Sequence, residues 1–207
     1  MTLDPSGEEP LVMTKTDGHL VIITGPSGAG KSTVVRSLLN HCPLPLVLSV
    51  SATTRPARTS ELDGVDYHFL SEVEFQEHRD KGNFLECKEV FGRGYWYGTL
   101  KQPVTTGLEA GNWVILEIDV EGTASVMEQL PDVTTIFLHA GSMEELERRL
   151  RARGTDTEES IRRRLDVARE EMNRGSQYKY IVENVDADKA AIDICEILLA
   201  TEKKPNA

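Results

Sequence analysis

The sequence predicts a three-layer α/β fold with a mainly parallel central sheet. Segments rich in β-branched and apolar residues alternate with segments whose apolar residues recur at helical spacing, an order typical of helices packed on a parallel sheet. A glycine-rich turn joins the first strand to the first helix. The stretch at about 51–99 interrupts the alternation, and we interpret it as an inserted lobe.

The length and composition of the chain predict how it is divided. Its 207 residues suit one domain with a small insertion. We predict a flexible leader at 1–17, because this stretch is acidic where a signal peptide is basic and has no apolar run. The core domain is expected at 18–50 and 100–207, with the lobe at 51–99. Within the core, the polar segment between two helices at about 150–160 is expected to form a lid.

The first elements follow from short local patterns. Leu20–Thr24 is an apolar, β-branched run bounded by glycine, which predicts a buried strand. Lys31–His41 contains neither Gly nor Pro and repeats apolar residues at helical spacing, which predicts a helix. Leu46–Val50 is a second predicted strand. Inside the insertion, Ser71 followed by Glu74 forms a capping box that predicts the start of a helix.

The rest of the core continues the alternation. Further strands are predicted at Trp113–Val120, 133–140 and 180–184. A second capping box, at Ser142 and Glu145, opens one of the helices. The predicted helices are 104–110, 122–130, 142–154, 155–172 and 187–200.

The net charge, the apolar runs and the cysteine spacing of the sequence indicate which partners and which cell compartment to expect. The net charge of −11 disfavours a nucleic acid polymer as partner, because binding to a phosphate backbone requires a basic face. No run of apolar residues is long enough to cross a membrane. The three cysteines, Cys42, Cys87 and Cys195, show neither a CxxC pair nor metal-type spacing. We therefore expect a cytoplasmic protein with reduced thiols and no membrane partner.

The segment Ile23–Thr33, ITGPSGAGKST, carries the strongest functional signal. The pattern G-x-x-x-x-G-K-S is complete from Gly25 to Ser32, between a predicted strand and a predicted helix. Glycines let backbone N–H groups turn inward around an anion, and the helix start adds positive potential. Lys31 would serve the outer phosphates, and Ser32 would hold Mg²⁺, partly via water. The predicted ATP-binding loop (P-loop) is Gly25, Pro26, Ser27, Gly28, Ala29, Gly30, Lys31, Ser32 and Thr33.

The insertion carries residues suited to a nucleoside monophosphate. Arg55 and Arg58 offer planar, paired donors to a phosphate, although solvated loop charges are the alternative interpretation. Glu86 follows the apolar pair Phe84-Leu85 and suits the N1–H and N2–H₂ donors of guanine. Adenine would leave such a carboxylate unpaired, which is costly when the group is buried. Hydroxyl groups for the same ligand are available on Ser51, Tyr67, Tyr97 and Thr99.

Together these motifs resemble the guanylate kinase family from about Leu20 to the last helix. The matching segments are GPSGAGKST, S-x-T-T-R-x-x-R, D-Y-x-F, F-L-E, Y-G-T, L-E-I-D and R-G-T-x-T-E-E-S, in that order. The resemblance implies reversible transfer of the γ-phosphoryl group of ATP to GMP, with dGMP as a further expected acceptor and Mg²⁺ as cofactor. It assigns the GMP site to Ser51, Arg55, Arg58, Tyr67, Glu86, Tyr97, Thr99 and Asp119.

The resemblance also selects catalytic and nucleotide-binding residues elsewhere. The segment 148–164 holds seven arginines, some of which we interpret as a solvated helix face. Asn184 matches a residue near the adenine or the ribose of ATP. Glu117 is left open between a place in the polar network beside Asp119 and a cap of its strand. The catalytic set that the resemblance implies is Lys31, Arg55, Arg149, Arg153 and Arg164.

Two departures from the family pattern bear on the acceptor site. The family motif R-x-P-R-x-G-E reads R-P-A-R-T-S-E here, so the proline is shifted and the glycine is replaced by Ser60. The arginine spacing is retained, whereas the path of the loop is left open. The segment FGRGYWYG is one residue longer than the family pattern, which leaves Tyr95 as the alternative to Tyr97.

Two other functions stay open at this point. A guanylate kinase-like interaction scaffold would not transfer phosphoryl groups. Such scaffolds typically lack an intact P-loop, whereas this chain has one. Another P-loop kinase, for example one acting on a phosphorylated sugar, would lack Glu86 and the paired arginines. A regulatory GTPase is disfavoured because the sequence has no Asn-Lys-x-Asp motif. The oligomeric state is open between a monomer and a homodimer.

Overall fold

The structure, a computed structural model, describes residues 18–90, 94–152, 154 and 157–202. The predicted leader at 1–17 lies outside these residues. The strands described are β1 His19–Thr24, β2 Leu46–Ser49, β3 Ala52–Thr53, β4 His68–Phe69, β5 Phe84–Val90, β6 Tyr95–Leu100, β7 Trp113–Glu117, β8 Thr134–His139 and β9 Tyr180–Glu183. The α-helices are α1 Lys31–His41, α2 Glu72–Asp80, α3 Lys101–Glu109, α4 Val120–Gln129, α5 Met143–Ala152, α6 Glu158–Asn173 and α7 Ala187–Glu202.

Two sheets organise these strands. The central sheet has the order β2-β7-β1-β8-β9, and the second sheet has the order β4-β3-β6-β5. β1 pairs in parallel with β8, and β8 pairs in parallel with β9. The central strands are long apolar runs because a parallel sheet is covered on both faces. The predicted α/β class with a mainly parallel sheet is confirmed.

The described residues form two compact units. The first unit comprises 18–20, 47–116 and 121–133, and the second comprises 21–46, 117–120 and 134–202. The four-stranded sheet lies wholly within the first unit. The narrower predicted division, with a lobe at 51–99, stays a prediction.

The first unit has its own small apolar core. Ala52, Phe75 and Phe84 are buried together, and the two phenyl rings stack with centroids 4.4 Å apart. α2 begins at the predicted capping box. The Ser71 hydroxyl accepts from the Glu74 N–H, and the Glu74 carboxylate accepts from the Ser71 N–H. The box satisfies backbone donors that the first turn of a helix leaves unpaired.

The second unit contains helices that bury one apolar face. α1 packs on α7, and both helices bury apolar residues such as Leu38 and Ile194. α5 and α6 share a separate cluster that includes Leu150 and Leu165. None of the helices in the described ranges combines the length and the apolar composition of a membrane span.

Several element boundaries differ from the prediction. The strand predicted to reach Val120 ends at Glu117, and α4 already begins at Val120. Asp119 therefore lies in the connection between strand and helix. α3 begins earlier than predicted, at Lys101. Pro103 does not interrupt α3, because the first turn of a helix does not need the N–H group that proline lacks.

Cys42 and Cys195 form a disulfide, so the prediction of reduced thiols is wrong for this pair. Cys42 caps the C-terminus of α1, and Cys195 lies within α7. Packing of the two helices brings the Cα atoms of the cysteines to 5.7 Å. The two residues are 153 positions apart in the sequence, so no local spacing indicates the pair.

We expect the disulfide to stabilise the second unit. Cys195→Ser should lower the free energy of unfolding by about 2–4 kcal/mol, because a cross-link over a long loop lowers the conformational entropy of the unfolded chain. Chemical denaturation under non-reducing conditions measures the difference, with Cys87→Ser as the matched thiol-to-hydroxyl control. Equal stability of the wild-type protein and Cys195→Ser would contradict the expectation.

Candidate active site

The P-loop connects β1 to α1 through backbone that favours glycine. Gly25 and Gly30 have φ angles of 136° and 90°, which side-chain-bearing residues rarely adopt. A Cβ atom on Gly25 would collide with the carbonyl oxygen of Leu138, and one on Gly30 would collide with the side-chain amide of Asn184. These glycines are therefore required by the turn and by the close approach of neighbouring groups.

Lys31 is the first residue of α1 and spans the loop. Its ammonium group donates to the carbonyl oxygens of Gly25 at 2.5 Å and Pro26 at 3.2 Å. The first turn of α1, KSTV, contains no acidic residue. The helix start therefore presents its first N–H groups and a positive end to an anion, with no acidic side chain of its own first turn beside them.

Ser32 forms a hydrogen bond with a carboxylate at the end of β7. Its hydroxyl donates to Glu117 Oε1 at 2.6 Å, although 85 positions separate the two residues. Asp119 follows directly in the connection to α4. Of the two interpretations left open for Glu117, the structure favours the polar network, because its side chain contacts the P-loop. A serine hydroxyl beside a carboxylate offers oxygen ligands of the kind that Mg²⁺ prefers.

Asn184 and Arg149 hold the loop at the same carbonyl oxygen. Asn184 is 3% exposed, and its side-chain amide donates to the oxygen of Ala29 at 2.7 Å. The Arg149 guanidinium donates to that oxygen at 3.4 Å and to the backbone oxygen of Asn184 at 2.7 Å. Asn184 is thus engaged with the P-loop itself. Its contact with adenine or ribose stays a prediction, as does the contact of Arg149 with a phosphate.

Glu145 orients Arg149 within α5. Its carboxylate accepts from Arg149 Nε at 2.7 Å and from Arg148 at 2.6 and 2.7 Å. Hydrogen bonds from Arg148 and Arg149 lower the pKa of Glu145 to about 2. The Ser142 hydroxyl accepts from the Glu145 N–H, as expected of the predicted helix cap, while the carboxylate is directed to the two arginines.

The other arginines of 148–164 divide between the helix surface and the predicted phosphate contacts. Arg151 is exposed and pairs with Glu147 and Glu158, as predicted for a solvated helix face. Arg164 is half-buried on α6. Arg153 lies outside the described residues, as does part of the predicted lid, so both stay predictions.

In the first unit, Arg55 is the centre of a polar cluster. Its Nε donates to Tyr97 Oη at 3.2 Å, one terminal nitrogen to the Pro56 carbonyl at 2.7 Å, and the other to Glu61 Oε1 at 2.9 Å. Its guanidinium lies 5.5 Å from the ring centroid of Tyr67. Burial alone would lower the pKa of Arg55, but the hydrogen bonds with Glu61 and Tyr97 outweigh it and raise the pKa.

The remaining acceptor residues differ in exposure. Arg58 is exposed, with its guanidinium 3.7 Å from Glu61. Ser51 is half-buried, and its backbone oxygen accepts from the His68 N–H. Tyr97, rather than the alternative Tyr95, is the tyrosine that contacts Arg55. The structure therefore brings Arg55, Tyr67 and Tyr97 together and places Arg58 at the edge of their cluster.

Glu86 is a buried carboxylate on β5, with 9% of its surface exposed. It faces Thr99 across the antiparallel pair of β5 and β6, and the Thr99 hydroxyl donates to its Oε1 at 2.7 Å. A carboxylate accepts several hydrogen bonds and donates none. Glu86 is thus suited to a ligand edge with adjacent N–H groups. Its role in guanine recognition stays a prediction.

The fold and these clusters have counterparts among known proteins. The structure is similar to the crystal structure of a guanylate kinase from Anaplasma phagocytophilum, with a TM-score of 0.75 and 34% identity over 93% of this chain and 90% of that chain. The family model described as guanylate kinase matches residues 17–201. The chain belongs to the guanylate kinase family.

Other members of the guanylate kinase family are similar over most of their length. A guanylate kinase of Rhodopirellula baltica is 56% identical over 92% of this chain and 91% of its own length. A guanylate kinase of Chromobacterium violaceum is 45% identical over 91% of this chain and 88% of its own length. The resemblance inferred from the motifs is therefore confirmed.

Sequence reasoning missed two acidic residues in these clusters. Glu61 binds Arg55, and Glu145 binds Arg149. A signal for each was present in the sequence. Glu61 ends the motif R-P-A-R-T-S-E, and Glu145 lies one helical turn before Arg149, where opposite charges meet on a helix face. The pairings themselves depend on side-chain directions that the motifs do not contain.

Proposed function

We propose that the protein catalyses the reversible transfer of the γ-phosphoryl group of ATP to GMP, giving ADP and GDP. The buried Glu86 carries this proposal, because a buried carboxylate on the strand paired with that of Tyr97, a partner of Arg55, suits guanine and disfavours adenine. The complete P-loop with Lys31 in place supports phosphoryl transfer over a scaffold role. The names of the relatives agree with the same reaction.

The P-loop residues would hold the donor nucleotide. The backbone N–H groups of the loop and the start of α1 would surround the phosphates, and Lys31 would exchange its carbonyl partners for phosphate oxygens. Arg149, already oriented by Glu145, would stabilise negative charge on the transferred phosphoryl group, together with Arg164. Catalysis then consists of positioning and charge neutralisation.

The first unit would hold the acceptor. Arg55, Arg58, Tyr67 and Tyr97 would bind the phosphate of GMP, with Ser51 as a further hydroxyl, while Glu86 and Thr99 would face its base. A phosphate oxygen of GMP is ionised at neutral pH and can attack the γ-phosphorus directly. As that bond forms, the bond from the γ-phosphorus to the bridging oxygen of ADP breaks. No general base and no covalent enzyme intermediate are required.

We further propose Mg²⁺ as the cofactor of this reaction. The Ser32 hydroxyl would bind it, partly via water, with Glu117 and Asp119 as the adjacent acids. When bound, the ion would neutralise phosphate charge during transfer. The carboxylate of Glu117 accepts from Ser32 and thereby orients the hydroxyl oxygen.

The proposed location is the cytoplasm, where ATP and GMP are available. The Cys42–Cys195 disulfide argues in the other direction, because reducing compartments keep most thiols reduced. Fractionation of cells that express the protein tests the location.

A panel of acceptors tests the proposed reaction. The full chain is incubated with ATP, Mg²⁺ and each of GMP, dGMP, AMP, UMP and dTMP, and ADP formation is followed by a coupled assay. We expect transfer to GMP at least about 100-fold faster than to AMP, because a buried carboxylate rejects the acceptor N1 of adenine. Chelation of Mg²⁺ should abolish the activity. Equal rates with AMP, UMP or dTMP would overturn the assignment, and no turnover with any acceptor would favour the scaffold alternative.

A further inference from the structure

Glu61 lies between the two arginines proposed to bind the acceptor phosphate. Its side chain is 13% exposed. One carboxylate oxygen accepts from the Arg55 guanidinium at 2.9 Å, and the other accepts from the Arg58 N–H at 2.8 Å. The Glu61 N–H in turn donates to the Arg58 carbonyl at 3.0 Å. One carboxylate therefore fixes both a guanidinium and the turn that carries the second arginine.

The contacts of Arg55 show what this carboxylate does. Arg55 has 11% of its side chain exposed, and a guanidinium that is largely withdrawn from water is stabilised by an opposite charge. Its hydrogen bonds to Tyr97, Pro56 and Glu61 use three of the five N–H donors of a guanidinium. Among the described contacts, two donors remain for an oxyanion. The planar group is thus held in one orientation while it can still bind a phosphate.

The ionisation of Glu61 agrees with this geometry. Burial alone would raise the pKa of its carboxyl group. The hydrogen bond from Arg55 and the N–H of Arg58 outweigh burial and lower the pKa. Glu61 therefore stays ionised at neutral pH and acts as a hydrogen-bond acceptor toward both arginines.

We propose that Glu61 is a positioning residue, which orients Arg55 and the turn at Arg58 so that they bind the phosphate of the acceptor nucleotide. This inference rests on the proposed function. For the affinity of the site for the acceptor phosphate, it predicts a change opposite in direction to the one that simple electrostatics predicts. Removing a negative charge beside a phosphate site would by itself tighten anion binding. Removing a positioning group would weaken it, because the freed guanidinium must be ordered again by the ligand.

The substitution Glu61→Gln separates the two effects, because it removes the charge and retains the shape. We expect the KM for GMP to rise about 10- to 100-fold, the loss typical of a hydrogen-bonded charge pair. We expect kcat and the KM for ATP to stay within about threefold, because the effect lies in acceptor binding. Glu61→Asp, which keeps the charge, should recover part of the loss. Glu77→Gln, in an exposed ion pair on α2, is the matched control and should match the wild-type protein.

A double-mutant cycle tests whether Glu61 acts through Arg55. In an Arg55→Met background, Glu61→Gln should raise the KM for GMP by less than about threefold. A lowered or unchanged KM in the single variant Glu61→Gln would overturn the inference, as would an equal rise in both backgrounds. Thermal unfolding of each variant shows whether the fold is retained, and Glu61→Asp extends the test should Glu61→Gln be unstable. Wild-type transfer to GMP is measured first. Its absence would refute the proposed function, and with it this inference, whereas its presence with an unaffected variant refutes only the role of Glu61.

Discussion

Lys31→Met is expected to abolish phosphoryl transfer, with a loss of at least about 1,000-fold in kcat. Methionine retains most of the length of the side chain but removes the ammonium group. In the structure this group spans the P-loop by donating to the carbonyl oxygens of Gly25 and Pro26. In the proposed reaction it would bind the outer phosphates and stabilise the negative charge that builds up on them. The loss should therefore exceed that of an ordinary phosphate contact.

The measurement must separate a loss of catalysis from a loss of stability. Lys31 contacts the loop in the structure, and it would contact the phosphates in the proposed reaction. A coupled assay at saturating ATP and GMP gives kcat, and thermal unfolding reports the loop and the fold. Lys189→Met is the matched control, because Lys189 is an exposed lysine of α7 in the same unit. We expect the control to retain wild-type activity. Activity of Lys31→Met within about tenfold of wild type would contradict the role proposed for the P-loop.

Glu86→Gln is expected to lower kcat/KM for GMP by about 100- to 1,000-fold while the KM for ATP stays unchanged. The carboxylate is buried and accepts from the Thr99 hydroxyl. A carboxylate can accept from both N1–H and N2–H₂ of guanine, whereas an amide presents one acceptor and one donor group. The oxygen of the amide would keep one of these two contacts, whereas its NH₂ group would face the other N–H of guanine, and that contact would become repulsive.

Glu89→Gln is the control for this substitution. Glu89 lies on the same strand as Glu86 but is exposed, so the same change of charge should leave GMP use unaffected. The acceptor panel is repeated with both variants, and thermal unfolding verifies that each is folded. A kcat/KM for GMP within about threefold of wild type in Glu86→Gln would remove the guanine-reading role from this residue.

The sequence predicted the parts of the fold that local spacing controls. Helix α1 has the predicted bounds, because Lys31–His41 contains neither glycine nor proline and repeats apolar residues once per turn. Ser71 and Glu74 cap α2 as predicted, because both partners lie within one turn. The strand at Trp113 was predicted too long. Its apolar pattern continues past Glu117 to Ile118 and Val120, which are buried outside the strand, so periodicity alone does not locate the end.

The contacts around the candidate site were harder to predict. Motifs indicated Lys31, Arg55 and Glu86 as functional residues, and the structure gives each of them specific partners. The partners were mostly not predicted. Ser32 meets Glu117 across 85 positions, and Asn184 meets Ala29 across 155. Glu61 is near Arg55 in sequence, but its pairing depends on the direction and the partial burial of both side chains.

Residue patterns along the chain were enough to predict the α/β class, the phosphate-binding loop and the family to which the chain belongs. These depend on strand and helix periodicity and on the residue types of short turns, which act over a few positions. The pairing of each carboxylate with a hydroxyl or a guanidinium, and the bond between Cys42 and Cys195, became visible in the three-dimensional arrangement of the chain. Such contacts join distant segments whose approach is set by the packing of whole helices and strands, and no short stretch of residues contains that information.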